Sequence, residues 1–191
     1  MKHRIFIAIN LPNDIKKNLT AYQNKWPDLP ARWTKPENLH ITLVFIGSID
    51  EKGISEIRQI LGNLIVRHKT FFVSLNKISY GPPKIMPPRM VWAIGEKSEG
   101  FSSLCDNLKR GLSDLLKVSF KPENREIIPH ITLARIKEWE WRRIEPDERP
   151  EVGENIDFSF EVKSIELMES VLKKPGPEYS ILETYNLKSE K

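Results

Sequence analysis

His40-Ile41-Thr42-Leu43 and His130-Ile131-Thr132-Leu133 are one tetrapeptide written twice in a chain of 191 residues. Only four histidines are present, so half of them sit in identical surroundings ninety positions apart. For residues drawn at random, the chance that some pair among four histidines shares its next three residues is roughly one in a thousand. Lys-Pro-Glu-Asn also recurs upstream, at residues 35–38 and 121–124. The tetrapeptides therefore mark an internal repeat that puts two imidazoles in equivalent positions of two half-molecules.

The repeat extends outward from the histidines. Residues 4–10 (RIFIAIN) align with residues 89–95 (RMVWAIG), sharing the Arg, the Ala and the Ile in register. Both are short apolar runs closed by a turn residue and read as buried strands. A helical pattern follows each. Asn13 or Asp14 can cap the first, with Ile15, Leu19, Tyr22 and Trp26 at helical spacing; Ser102 or Ser103 can start the second, with Leu104, Leu108, Leu112, Leu115 and Leu116 as its buried stripe. Each helix leads through a KPEN turn to a histidine-bearing strand. Strand, helix, strand thus runs twice, over residues 4–46 and 89–136. Between the copies, residues 54–66 read as an amphipathic helix, 71–78 as a strand and the proline-rich 80–88 as an irregular loop. After the second copy, 158–170 alternates as one strand and 179–187 makes another. Neither ninety-residue half has a linker to the other. The expected fold is α+β, a single domain over residues 1–191. It should be bilobal with pseudo-two-fold symmetry, two mostly antiparallel sheets facing a central cleft, and helices outside.

Composition narrows the class. An apolar fraction of 39% with 29% charged residues is that of a water-soluble globular chain. The net charge of +4 suits an anionic ligand without demanding nucleic acid. Cys105 stands alone, which excludes an internal disulfide and a cysteine metal cluster and points to a reducing, cytoplasmic setting. The apolar stretch behind Met1 is too short for a signal peptide and no run approaches a membrane span. Nothing signals oligomerisation, so a monomer is expected.

Residues i and i+2 of a strand share a face. His40 and Thr42 therefore point one way, as do His130 and Thr132, while Ile41, Leu43, Ile131 and Leu133 point to the core. If a pseudo-two-fold axis relates the lobes, two imidazoles with flanking hydroxyls meet across the cleft. Such a pair suits displacement at phosphorus, which needs a base on the attacking oxygen and an acid on the leaving oxygen. Histidine can do either near neutrality, and threonine hydroxyls can donate to non-bridging oxygens. His-x-Thr has no i+4 histidine and no nearby carboxylate pair, so no metal site and no cofactor are expected. Gly-rich phosphate loops and nucleophile elbows are absent from the sequence too. His3 and His68 have no repeat partner and read as structural.

With those motifs in place, the chain resembles the 2H phosphoesterases, and within them the RNA 2′,3′-cyclic phosphodiesterase branch historically called 2′-5′ RNA ligase. The likeness rests on residues 4–9 (RIFIAI), 36–47 (PENLHITLVFIG), 88–93 (PRMVWA), 129–135 (PHITLAR), 167–170 (LMES) and 176–179 (GPEY). It implies metal-independent hydrolysis of an RNA terminal 2′,3′-cyclic phosphate to a 2′-phosphomonoester, with 2′-5′ ligation as the reverse reaction. RNA ends or nucleoside 2′,3′-cyclic phosphates would be the substrates. By the same resemblance His40 is the proton donor and His130 the proton acceptor. Phe45 and Arg135, each five residues past a histidine, would flank the nucleobase or phosphate. Tyr179 either packs the C-terminal loop or reaches the cleft. Parity opposes two of these roles: an offset of five puts Phe45 and Arg135 on the face away from the histidines unless the strand bulges, for which Gly47 is the available signal. Residues 137–155 carry Trp139 and Trp141 among charges, as a docked helix face or an RNA-stacking element. A non-catalytic nucleotide- or RNA-binding module and a 2H enzyme acting on 2′-5′ oligonucleotides are the alternatives.

Overall fold

Ile5, Ile7 and Ile9 alternate with Phe6 and Ala8, and β1 (His3–Asn10) is buried on both faces. The computed structural model describes residues 1–113, 127–174 and 176–189. Its further elements are α1 (Asn13–Ala21), β2 (Ala31–Trp33), a 3₁₀ turn (Pro36–Asn38), β3 (His40–Ile49), α2 (Glu51–Ile65) and β4 (Phe71–Gly81). β5 (Met90–Gly95), α3 (Glu99–Gly111), β6 (His130–Ile136), α4 (Glu138–Trp141), β7 (Gly153–Val162), β8 (Ser164–Leu172) and β9 (Pro177–Asn186) complete the order. The second KPEN turn, Leu115 and Leu116 lie outside the described residues.

The strands run β7-β4-β5-β6-β3-β1-β8-β9, with β2 added along β6, and every pairing among them is antiparallel. The two expected sheets are the halves of this order. They join at a single pair, Ile41 opposite Ile131, the middle residue of each His-x-Thr. Around that pair β3 matches β6, β1 matches β5, β8 matches β4 and β9 matches β7, which is the pseudo-two-fold arrangement of an α+β fold. α1, α2 and α3 bury Ile15, Leu19, Ile54, Ile57, Leu61, Phe101, Leu104 and Leu108 in the same core as Ile41 and Ile131. They cover the face opposite the histidines and leave the histidine face open. No helix among the described residues is long and apolar enough to cross a membrane.

Several local expectations change. Residues 158–170 form two strands, not one: β7 pairs β4 in one half and β8 pairs β1 in the other, so the chain crosses between halves at Lys163. The buried positions switch parity there, from Phe160 and Val162 to Ile165 and Leu167. α1 is preceded by Pro12 and has no side-chain cap; Asn13 and Asp14 are its first residues. α3 begins four residues earlier than the serine pair suggested, where the Ser98 hydroxyl accepts from the Phe101 N–H (3.3 Å). Such a cap is worth about 1 kcal/mol. Tyr80 and Gly81 extend β4 into the region expected to be loop.

The repeat register of the first strands also shifts by one. Ala8 pairs with Thr42, whereas Trp92, not Ala93, pairs with Thr132. Pairing with the His-x-Thr strands, rather than shared letters, decides which residues are equivalent.

Candidate active site

Each histidine opens a strand and is set by the segment before it. Leu39, buried, ends the Pro36–Asn38 turn, and the Asn38 side chain donates to the Pro177 carbonyl (3.2 Å), fixing the turn against β9. His40 Nδ1–H then donates to the Asn38 carbonyl at 2.8 Å. In the second copy Gly95 N–H holds the Pro129 carbonyl (2.8 Å), and His130 Nδ1–H donates to the Ile128 carbonyl at 3.0 Å. A carbonyl can only accept, so both neutral rings carry their proton on Nδ1 and leave Nε2 to do chemistry. The Thr42 hydroxyl donates to His40 Nε2 (3.0 Å), while the Thr132 hydroxyl has the Met90 sulfur at 3.9 Å.

The register places these four side chains together. With Ile41 opposite Ile131 in an antiparallel pair, His40 falls opposite Thr132 and Thr42 opposite His130. The two histidines are then diagonal neighbours about a local two-fold, a relation that spans about 7–8 Å in a regular ladder. That gap admits one tetrahedral phosphate between two Nε2 atoms.

Phe45 and Arg135 do reach this face, and by the same device. In β3, Thr42 pairs with Ala8 and Val44 with Ile7, so Leu43 is an extra residue; in β6, Thr132 pairs with Trp92 and Ala134 with Val91, so Leu133 is extra. Each bulge reverses the parity of the residues beyond it. Phe45 lands opposite Phe6, and Arg135 opposite Met90, both on the histidine side. Gly47, at φ 93°, comes after the bulge that matters and is not its cause. The sequence signal was the adjacent buried pair, Leu43-Val44 and Leu133-Ala134, where the alternation stops.

The aromatic surroundings differ between the halves. Phe6 and Tyr179 both contact the His40 ring, at centroid distances of 5.1 and 5.3 Å, so Tyr179 reaches the cleft. Trp92 lies against His130 at 4.2 Å. Arg4 sits over the exposed Phe45 ring at 4.9 Å. Trp141 is buried and Trp139 exposed, with Arg143 over its ring at 4.6 Å. His3 bonds Glu169 (2.7 Å) and Glu51 (2.9 Å), and His68 Nε2 accepts from Asn107 (3.1 Å), which are structural ties.

Electrostatics also act on His40. Burial lowers the His40 pKa; its bond to Asn38 opposes that, and the positive charges of Lys16, Arg135 and His130 push it down further. Free His40 is therefore biased to the neutral form. Lys16 comes from α1 and had no signal in the sequence beyond its place on a polar helix face. Glu166 is buried on the neighbouring strand, its carboxylate accepting from Asn10 N–H (3.0 Å) and the Ser164 hydroxyl (2.7 Å), and burial raises its pKa. Among the described residues no group of three or more His, Cys, Asp or Glu is placed to hold a metal ion.

Known proteins resemble this chain in both sequence and fold. A sequence profile of the LigT like Phosphoesterase family matches residues 9–92 and 97–179, one match for each half. A Methanocaldococcus jannaschii protein named RNA 2′,3′-cyclic phosphodiesterase is 31% identical over 95% of this chain and 99% of its own. A crystal structure from Thermus thermophilus superposes with a TM-score of 0.84 at 29% identity, covering 98% of this chain and 100% of that one. Escherichia coli LigT crystallised with 3′-AMP shares the fold, with a TM-score of 0.76 at 23% identity over 98% of this chain and 99% of its own.

Proposed function

Since the chain belongs to the LigT-like phosphoesterase family, we propose that it hydrolyses the 2′,3′-cyclic phosphate at an RNA 3′ end through His40 and His130. The observation that carries the reading is the symmetric seating of the two imidazoles. Both are held by Nδ1 to the carbonyl two residues back, and both present Nε2 to one open face about the Ile41–Ile131 pair. The M. jannaschii relative's name supports the substrate class.

In this mechanism the phosphate lies between the rings. His130 Nε2 takes a proton from the attacking water, whose oxygen bonds to phosphorus. The P–O3′ bond breaks on the opposite side and His40 Nε2 delivers its proton to O3′. A 2′-phosphomonoester and a free 3′-hydroxyl result, and the proton count balances through the two histidines. Thr42 and Thr132 donate to the non-bridging oxygens, and Arg135 adds a cation beside them. Phe45 and Tyr179 flank the nucleoside. With an RNA 5′-hydroxyl in place of water as the nucleophile, the same groups would make a 2′-5′ linkage, but bulk water favours hydrolysis.

His40 must be protonated to act as an acid, although the free protein disfavours that state. The substrate resolves the conflict. A phosphodiester anion about 4 Å from the ring is worth about 4 kcal/mol at an effective dielectric of 20. That attraction opposes the lowering by burial and by the charges of Lys16, Arg135 and His130, so His40 gains its proton together with the substrate. Turnover of nucleoside 2′,3′-cyclic phosphates, measured for wild type, His40→Ala and His130→Ala, tests the proposal. Wild-type product must be the 2′-phosphate, and each variant must lose activity. Tight nucleotide binding with no turnover would assign a binding module instead.

A further inference from the structure

A groove of ≈ 650 Å³ lies between α1 and the Pro36–Asn38 turn, lined by Asn13, Lys16, Lys17, Thr20, Asn24 and Glu37 among others. Asn13, Lys16, Lys17, Thr20 and Asn24 follow helical spacing along one side of α1 and the turn after it, opposite the buried Ile15 and Leu19. The other wall is the turn that seats His40, since Glu37 precedes Asn38, whose carbonyl holds the ring. Pro36 and Glu37 of that turn line the groove and lead directly into Asn38 and His40, which puts this end of the groove near the reaction centre, where the Lys16 charge also acts on His40.

The proposed roles give the groove a direction. His40 protonates the departing O3′, so the terminal ribose must sit on the His40 side and the water on the His130 side. The rest of the RNA is joined to that ribose through its O5′. It therefore has to leave the cleft past His40, where the groove begins. Two lysines, two asparagines and a threonine along one wall suit a phosphodiester backbone, which needs cations and donors but no sequence-specific readout. A volume in the 300–1,000 Å³ range suits a small ligand, so the groove holds a short stretch of strand. Glu37 is the one acid in that wall, and Lys16 lies within reach of its charge.

We infer that the groove between α1 and the Pro36–Asn38 turn receives the RNA strand 5′ to the reacting terminus, with Lys16 and Lys17 meeting its backbone phosphates. The inference rests on the proposed phosphodiesterase reading for its direction. It makes the protein an enzyme of oligonucleotide ends that tolerates mononucleotides, rather than the reverse.

The test compares a pentaribonucleotide ending in a 2′,3′-cyclic phosphate with the nucleoside 2′,3′-cyclic phosphate, in wild type and in Lys17→Glu. Lys17 is exposed on α1, so the substitution leaves the core intact. Wild type should prefer the pentamer in kcat/KM, and Lys17→Glu should lower the pentamer-to-mononucleoside ratio at least tenfold. The salt slope on the pentamer should relax by about 0.7 for each phosphate that the variant no longer neutralises. Anisotropy of a fluorescein-labelled pentamer carrying a terminal 2′-phosphate is measured in parallel and should show weaker binding by the variant. An unchanged ratio and unchanged binding in an active enzyme overturn the groove and leave the phosphodiesterase reading standing. Binding that weakens in Lys17→Glu, from a wild type that hydrolyses neither substrate, supports the groove and removes that reading.

Discussion

Gly81 offers a way to disturb the proposed base from outside the site. A Cβ at this position would lie 2.3 Å from Cδ2 and 2.5 Å from Cε3 of Trp92. Carbon atoms rest at about 3.5–4.0 Å, so Gly81→Ala obliges the indole to retreat by about 1 Å or more. Its Nε1–H has no hydrogen-bond partner among the described residues, so packing alone resists the push. On its other side the indole lies against the His130 ring at 4.2 Å. The displacement therefore passes to the imidazole or opens a gap behind it. Overpacking of this kind costs about 1–3 kcal/mol of stability, and a 1 Å misplacement of a reacting group can cost about 10²-fold in rate. Gly81→Ala should remain folded with a lower Tm, and its kcat/KM on a nucleoside 2′,3′-cyclic phosphate should fall about 10- to 100-fold. Gly153→Ala is the control. It lies on the adjacent strand opposite Ser79, where an added Cβ meets nothing within 4 Å, and it should leave both quantities near wild type. Adding Trp92→Phe to Gly81→Ala shortens the ring and should recover part of the lost rate. Wild-type kcat/KM in folded Gly81→Ala would refute the claim that Trp92 positions His130.

The two histidines should respond differently to the leaving group. Removing an acid or base typically costs about 10²- to 10⁴-fold. His40→Ala should regain much of its activity on a nitrophenyl phosphodiester, which needs no leaving-group protonation, and His130→Ala should not; rescue of His130→Ala alone would reverse the donor and acceptor. Cyclic phosphate hydrolysis should survive excess EDTA, and a loss restored by a divalent ion would remove the two-histidine mechanism. Stability should carry a buried-histidine signature as well. Burial lowers the His68 pKa, so the folded chain binds fewer protons than the unfolded chain as pH falls through about 6.5. Its contribution is present above that pH and is lost on acidification. His68→Gln keeps an acceptor for Asn107 and should flatten the fall in Tm between pH 7 and pH 5; an unchanged pH slope would show that His68 is not a source of it.

The repeated tetrapeptide determined much by itself. A histidine and a threonine two residues apart on a strand must share a face, and an apolar Ile and Leu between and after them must turn to a core. Two copies in one chain imply two such strands, and the structure pairs them at Ile41 and Ile131. Short apolar runs also marked β1 and β5, and helical spacing marked α2 and α3, because these signals arise within a few residues of chain. Pairing decided the rest. The bulges at Leu43 and Leu133 exist only relative to β1 and β5, and they alone turn Phe45 and Arg135 toward the histidines. The split of residues 158–170 into β7 and β8 comes from two different partner strands, although the segment reads as one extended run. Lys16 and Trp92 act on His40 and His130 from 24 and 38 residues away in the sequence, from a helix face and a strand whose own patterns carry no sign of it. Periodicity fixes which way a side chain points from its own backbone; only the packing of distant segments fixes what it meets there.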